Sequence, residues 1–339
     1  MSEKVEAYKK TIIDILGTAG RVECVIIIIP GKKQASPIYH ELKQVLVSQV
    51  PIPSQMILAE TIAAGRNLRS AINKLFIQCN AKIGGTPWGF VDLPMMKEKK
   101  TMICGIVIYR KCREKGCSYS ALVCTMDRFA GRYYSQCSYN KPDEKVGDNV
   151  AKLVLKACKK FKEVNGDLPE RIIVMRDGVS ESQYEAVYSL DAAPIKEVLK
   201  DNEMTKTSFI FMTINQVNHG RFFRSDRARL YNPDRGTLID TGCVKEDQYD
   251  FFLVPHGSRQ GIQGPTRFNI LYSDEKIDVK NLYLTCFRLC YGYYNYQSSI
   301  KVPSPVLYAH KLAYFLGGIE NKHGKTLAEE KLYTKLFYI

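Results

Sequence analysis

Acid is what this sequence is short of. Across 339 residues it sets 35 Asp+Glu against 49 Lys+Arg, leaving a formal charge of +14. An excess of that size favours a polyanionic partner, either nucleic acid or an anionic membrane surface. No long lysine block is present, so the charge is spread over folded surface, as suits a groove that follows a phosphate backbone. Long apolar runs are also missing. The longest, CVIIII, falls far short of the roughly 20 residues a bilayer span needs. The N-terminus, MSEKVEAYKK, is charged and lacks the apolar core of a secretory signal. The 11 cysteines are odd in number and lie mostly within apolar runs, as at Cys24, Cys104 and Cys158. That argues against a disulfide framework and for reduced thiols in an intracellular protein, cytoplasmic or nuclear. Cys112 and Cys117 flank REKG, and Cys286 and Cys290 lie one helical turn apart. Neither pair has a matching His/Cys pair at zinc spacing, so no metal is assigned to them. Internal repeats and low-complexity segments are absent.

What is present begins with a β-α-β-α order in the first 85 residues, the pattern of a small doubly wound α/β unit. VECVIIIIP (22–30) reads as a strand buried on both faces. SPIYHELKQVLVSQ reads as a helix on the recurrence of Ile38, Leu42, Val45 and Leu46. A strand is expected near MILAETI (56–62), then a helix carrying Leu68, Ile72, Leu75 and Phe76 and ending at Gly84–Gly85. Two polar pairs sit on these helices at i,i+4 spacing, Tyr39 with Lys43 and Gln78 with Lys82. That spacing places each pair on one face. Gln55, before the second strand, adds donors. Point charges with directed donors near helix and strand ends suit a terminal phosphate. The plainer alternative is that both pairs are ordinary solvated helix faces.

After the linking segment VDLPMMKEKK come three consecutive strand-like runs, 101–110, 118–127 and 132–140. A helix near 148–163, a buried strand at 171–178, a helix near 182–200 and a strand at SFIFMTINQ follow. Three strands, a helix, a strand, then alternating elements is the order of an RNase H-like domain. Later strand-like pieces lie at GTLIDTG, YDFFLVPHG and RFNILYSD, with helices near 277–292 and 305–317 closing the chain.

At RDGVSESQ (176–183), FFLVPHGSRQGIQGPTRFNILY (251–272), VPSPVLYAHKLAYFLG (302–317), NAKIGG (80–85) and LYTKLFYI (332–339) the chain resembles the Piwi clade of the Argonaute family. The likeness runs from about residue 20 to the end. It covers the MID domain (1–95) and the RNase H-like PIWI domain (96–339), with no counterpart of the N-terminal and PAZ domains. The resemblance implies that Tyr39, Lys43, Gln55, Gln78 and Lys82 hold the 5′ phosphate of a small guide RNA. It further implies Mg²⁺ at that pocket together with the C-terminal carboxylate of Ile339. Complementary target RNA and silencing-effector proteins would be the remaining partners.

The family's catalytic centre is where this sequence departs. Slicing members gather three carboxylates and a histidine around two Mg²⁺ ions. Here the first carboxylate position is Val107 and the second Lys145, leaving Asp177 and His310. Three carboxylates would carry −3, whereas Val, Lys and Asp sum to zero. A lysine at roughly 4 Å in an effective dielectric of about 20 would repel a divalent ion by at most about 8 kcal/mol. The expectation is a non-slicing guide-RNA-binding protein. The alternative is a guide-dependent endonuclease with a rearranged metal site built on Glu144, Asp177 and His310. A copy acting only through protein contacts is a third reading. In TINQVNHGRFF the family's basic cluster is reduced to Arg221. Arg267, Tyr293 and Lys301 remain as candidate backbone contacts, or else as packing and surface charge.

Overall fold

The computed structural model describes residues 2–63, 65, 68–110, 112, 114–227, 229–244, 249–258, 260–323 and 327–339. The chain opens with helix α1 (Ser2–Thr18), strand β1 (Val25–Ile29), helix α2 (Lys32–Ser48) and strand β2 (Ser54–Leu58). A short helix α3 (Ala59–Ala63) and helix α4 (Leu68–Lys82) follow. β1 and β2 pair in parallel, with Val25 opposite Ser54. The apolar stripe of α2 packs as its periodicity predicts: Ile38, Leu42 and Leu46 join Val5 and Ile12 of α1 over Ile27 and Ile29.

Three expectations fail in this first unit. β1 is covered on one face only, because both α1 and α2 lie on the side of Ile27 and Ile29. Ile26 and Ile28 on the other side stay 54% and 51% exposed. In α4 the burial is inverted. Phe76 is 65% exposed, while Ala81 and Lys82 are the buried residues, because α4 leans on β2 through its polar last turn. The second strand also begins at Ser54 and stops at Leu58, so Gln55 lies within it and the ILAETI stretch turns helical at Ala59.

Helix α5 (Pro94–Glu98) spans the expected 95/96 boundary, and its Met95 and Met96 are buried with the second unit, as is Leu93. An eight-stranded sheet then forms from β3 (Thr101–Tyr109), β4 (Ser118–Thr125), β5 (Tyr133–Asn140), β6 (Arg171–Asp177), β7 (Ser208–Asn215) and three later strands. Those between 224 and 231, β8 (Arg224–Asp226) and β9 (Arg229–Tyr231), form a separate hairpin the sequence reading did not foresee. β10 (Thr237–Ile239), β11 (Tyr249–Val254) and β12 (Thr266–Ser273) complete the large sheet in the order β10-β11-β12-β7-β6-β3-β4-β5. The β3-β4-β5 meander is antiparallel as expected, whereas β3, β6 and β7 run parallel.

α6 (Val146–Asn165) and α8 (Ala193–Asp201) cover one face of this sheet, packing on Met102, Cys104, Ile106, Ile172 and Val174. The single helix expected over 182–200 is instead broken into α7 (Tyr184–Val187), a π-helical turn at Tyr188–Ala192, and α8, which restarts with Pro194 in its first turn. A proline there cannot donate to the preceding ladder, so the helix restarts. The other face is covered by α9 (Val279–Leu289) and α10 (Ser304–His323). Gly105 lets α10 come down onto β3, since a Cβ there would sit 2.4 Å from the Pro305 carbonyl carbon and oxygen. This close approach carries His310 to the ends of β3 and β6. Among the described residues no helix is long and apolar enough to cross a membrane.

Candidate functional site

Ser54, the first residue of β2, is where the two lysines meet. Lys43 donates to its carbonyl oxygen at 2.8 Å and to its hydroxyl at 2.9 Å. Lys82 donates to the same carbonyl at 3.1 Å and to Gln55 Oε1 at 2.8 Å. Both lysines are only 3% exposed, and among the described residues neither has a carboxylate within ion-pairing distance. Burial and mutual repulsion hold Lys43 well below the usual lysine range, and burial brings Lys82 down to about 8. Two buried cations without an anion are costly, and they persist where something else supplies the negative charge.

Tyr39 links this pair to a cavity of about 570 Å³. Its ring lies 5.6 Å from the Lys43 ammonium, and its hydroxyl is pushed up to about 12 by burial and then by Tyr314. Ile339, Tyr293, Lys311 and Phe315 line the same cavity. Of the expected phosphate set, Tyr39, Lys43, Gln55 and Lys82 are therefore brought together, with Ile339 beside Tyr39. Gln78 is half-buried one turn before Lys82. Ser54, Lys311 and Tyr314 were missed. Ser54 acts through its backbone carbonyl, which leaves no trace in a residue pattern, but Tyr314 sits four residues after His310, a spacing that could have found it. The side chains here do not by themselves fit Mg²⁺, which wants oxygen anions in near-octahedral array. Among the described residues no cluster of three or more His, Cys, Asp or Glu is placed to hold a metal.

At the other centre, parallel pairing of Ile106 with Arg176 sets Val107 beside Asp177 at the ends of β3 and β6. Val107 is buried against Tyr308 and Leu312. The Asp177 carboxylate is paired with His310 Nε2 and accepts from Gln216 Nε2 at 2.9 Å, so a single oxygen, Oδ2, holds both partners. Gln216 stands in the stretch where the sequence reading noted a lost basic cluster. Lys145 is exposed at the N-terminal end of α6, in a groove of about 630 Å³ lined also by Glu144, Arg176 and Asp191 but not by Asp177 or His310. Repulsion at 4 Å is thus not the reason a cation would be disfavoured; the missing ligand at Val107 is. Glu144 accepts from the Lys141 amide at 3.2 Å and from Asn149 at 3.1 Å, which ties it into the helix start.

The candidate backbone contacts divide. Arg267 is bound to Asp250 and, at 2.9 Å, to Glu181, which makes it a structural ion cluster. Arg221 folds onto its own loop, donating to Asn218 and Gly220 carbonyls. Tyr293 lies in the Tyr39 cavity. Lys301 is exposed, and with Arg235 it depresses the His256 imidazole, burial being the larger cause. Among the described residues His256 Nδ1, Gln263 Nε2 and Ser299 Oγ are buried without a hydrogen-bond partner.

A Piwi domain family model matches residues 24–319. Piwi-like protein 1 of Danio rerio is 28% identical over 316 residues, 93% of this chain and 36% of its own length. Protein argonaute-3 of Drosophila melanogaster is 32% identical over 302 residues, 89% of this chain and 33% of its own. The chain spans about a third of the length of these curated relatives. The crystal structure of Drosophila Piwi superposes with a TM-score of 0.85 at 25% identity, covering 99% of this chain and 44% of that one. Kluyveromyces polysporus Argonaute with a guide RNA gives a TM-score of 0.82 at 19% identity, over 98% of this chain and 43% of that one, a likeness of fold. With that order of strands, that pairing of Asp177 with His310 and a family model spanning most of its length, the chain belongs to the Piwi domain family.

Proposed function

We propose that this chain anchors the 5′ phosphate of a small guide RNA and presents the guide to complementary target RNA without cutting it, silencing through recruited effector proteins inside the cell. The observation that carries the reading is the pair of buried lysine amines converging on the Ser54 carbonyl, with no carboxylate within ion-pairing distance among the described residues. A terminal phosphate brings the missing charge, and the Tyr39 ring at the neighbouring cavity offers a face for the first base. A magnesium ion would join this pocket through the phosphate's own oxygens together with the C-terminal carboxylate of Ile339. Solved relatives support the ligand class: Kluyveromyces polysporus Argonaute is seen with a guide RNA, and Clostridium butyricum Argonaute is bound to a guide DNA and a target DNA. Exposed Lys301 offers charge to the strand that follows.

The inert half of the proposal rests on Val107, which supplies no oxygen, and on Asp177, already engaged by His310 and Gln216. Nothing favours the endonuclease reading, since Glu144 is tied to its own helix start. The test compares 5′-phosphorylated with 5′-hydroxyl RNA in a polarisation assay. The phosphorylated strand should bind at least tenfold tighter, a preference lost in Lys43→Met/Lys82→Met. Equal binding of both strands overturns the reading. Single-turnover cleavage of a matched target overturns the inert half.

A further inference from the structure

The β8–β9 hairpin belongs to neither of the two centres, yet it holds the densest run of arginine in the chain. Positions 221–235 set five arginines against two aspartates, with no lysine or glutamate. All six strand residues are exposed, and so is Arg227 at the turn. Arg227 has φ 53°, in the left-handed region where asparagine or glycine is the ordinary hairpin choice. The register sets Arg224 opposite Tyr231 and Asp226 opposite Arg229. Those four therefore share one face, and Ser225 and Leu230 take the other. The Arg224 guanidinium lies 5.8 Å from the centre of the Tyr231 ring. Its contact with Asp234, at 3.4 Å, is between exposed side chains and holds it weakly. Among the described residues Arg227 and Arg229 have no carboxylate within ion-pairing distance.

A two-stranded hairpin is marginal by itself in water, and this one is pinned at its ends. Phe222 packs edge-on against Phe252 at 5.3 Å. Asn232 donates to the Gly261 carbonyl at 2.9 Å and accepts from the Gln263 amide at 3.0 Å. Just beyond, Arg235 donates to Ser298 Oγ at 3.4 Å, three residues before the exposed Lys301. Basic surface thus leads from the hairpin toward Lys301.

We propose that the β8–β9 hairpin is an RNA-binding element, in which the Tyr231 ring stacks on an unpaired base while Arg224, Arg227 and Arg229 hold the flanking phosphates. The charge calls for a polyanion, and the choice of arginine narrows it. A guanidinium grips phosphate oxygens in a two-pronged fork and lies flat on a base, which an ammonium cannot do. Stacking on an aromatic ring between cations is how a single strand is held without regard to sequence. The inference rests on the reading that this chain binds RNA, but not on the lysine pocket, which takes the 5′ end alone.

The test uses the full chain with two probes, uridine 5′-monophosphate and a 5′-phosphorylated oligouridine. Tyr231→Ala should weaken the oligomer roughly tenfold and leave the mononucleotide unchanged, while Tyr231→Phe should bind like the wild type. Arg227→Gln/Arg229→Gln should reduce the salt slope for the oligomer by about 1.4. Oligouridine carrying 4-thiouridine should crosslink to the peptide that contains Tyr231 in the unaltered protein, which needs no variant to fold. Lys43→Met/Lys82→Met should do the reverse of the hairpin variants and abolish mononucleotide binding. If that pair changes nothing while the hairpin variants still weaken the oligomer, the 5′-anchoring reading falls and the hairpin stands. The proposal is overturned if oligomer affinity and salt slope are indifferent to the hairpin substitutions, or if crosslinks map only elsewhere. Loss of binding to phosphatidylserine vesicles, with RNA binding intact, overturns it in favour of a membrane surface.

Discussion

Replacing Lys82 by methionine should stabilise the ligand-free protein while destroying its affinity for phosphate. The ammonium is nearly fully buried, and burial brings its pKa from 10.5 down to about 8. At about 1.4 kcal/mol per tenfold change, holding the charged form in place costs about 3 kcal/mol. Methionine keeps the length and apolar stem but gives up the bonds to Ser54 and Gln55, worth roughly 1–2 kcal/mol together. The net gain at pH 7 should be roughly 1–2 kcal/mol. The sign with pH follows from proton counts. Below about pH 8 lysine is charged in both states and the cost is fully present. Between about 8 and 10.5 the unfolded chain binds more protons than the folded one, so wild-type stability rises with pH. The advantage of Lys82→Met should shrink through that window. Adding a 5′-phosphorylated nucleotide at about a hundred times its dissociation constant should stabilise the wild type by about 2.7 kcal/mol and the variant scarcely at all. The order of stabilities would then invert. Urea unfolding at pH 7 and pH 9.5, with and without nucleotide, reads all of this. A variant that loses 2 kcal/mol or more, with an unchanged pH slope, would refute the idea that the buried ammonium is held at a cost.

Arg267→Ala should cost about 3 kcal/mol by leaving Asp250 buried and uncompensated, while leaving the preference for 5′-phosphorylated RNA intact; urea unfolding and the polarisation assay check the two halves. Gly105→Ala should cost at least about 2 kcal/mol, because the new methyl meets the Pro305 backbone and not a side chain that can swing away. Thermal unfolding reads the loss, and an unchanged melting temperature contradicts the close approach. Val107→Asp with Lys145→Glu should yield no Mg²⁺-dependent cleavage. The new Asp would be buried beside Asp177, whose Oδ2 is held by His310 and Gln216, and the new Glu would lie out in the neighbouring groove. Cleavage by the double variant in single turnover would show that the site is only two residues from activity.

How much of this was legible in the residues depends on whether periodicity or partners decide the outcome. The RNase H-like order could be read because its strands are near-continuous apolar runs, and because α6 shows a clean stripe from Val150 to Phe161. α4 misled because its apolar positions are real, but the neighbours decide which face is buried. With α1 and α2 both on one side of β1, Ile26, Ile28 and Phe76 are left outside, and a polar turn carries Lys82 inward. The identities of Lys43 and Lys82 were visible, but their convergence on the Ser54 carbonyl was not, since a backbone oxygen has no letter in a sequence. The catalytic positions show the converse. Val107 can be read as a lost ligand from the letter alone, and packing against Tyr308 and Leu312 makes the loss hard to reverse. Gln216, by contrast, was noted only as a missing cation. The structure gives it a positive role, a neutral hydrogen bond to the same Asp177 oxygen that His310 holds. The lysine pocket carries an imbalance of positive sign, and on the proposed reading that imbalance is what a terminal phosphate meets.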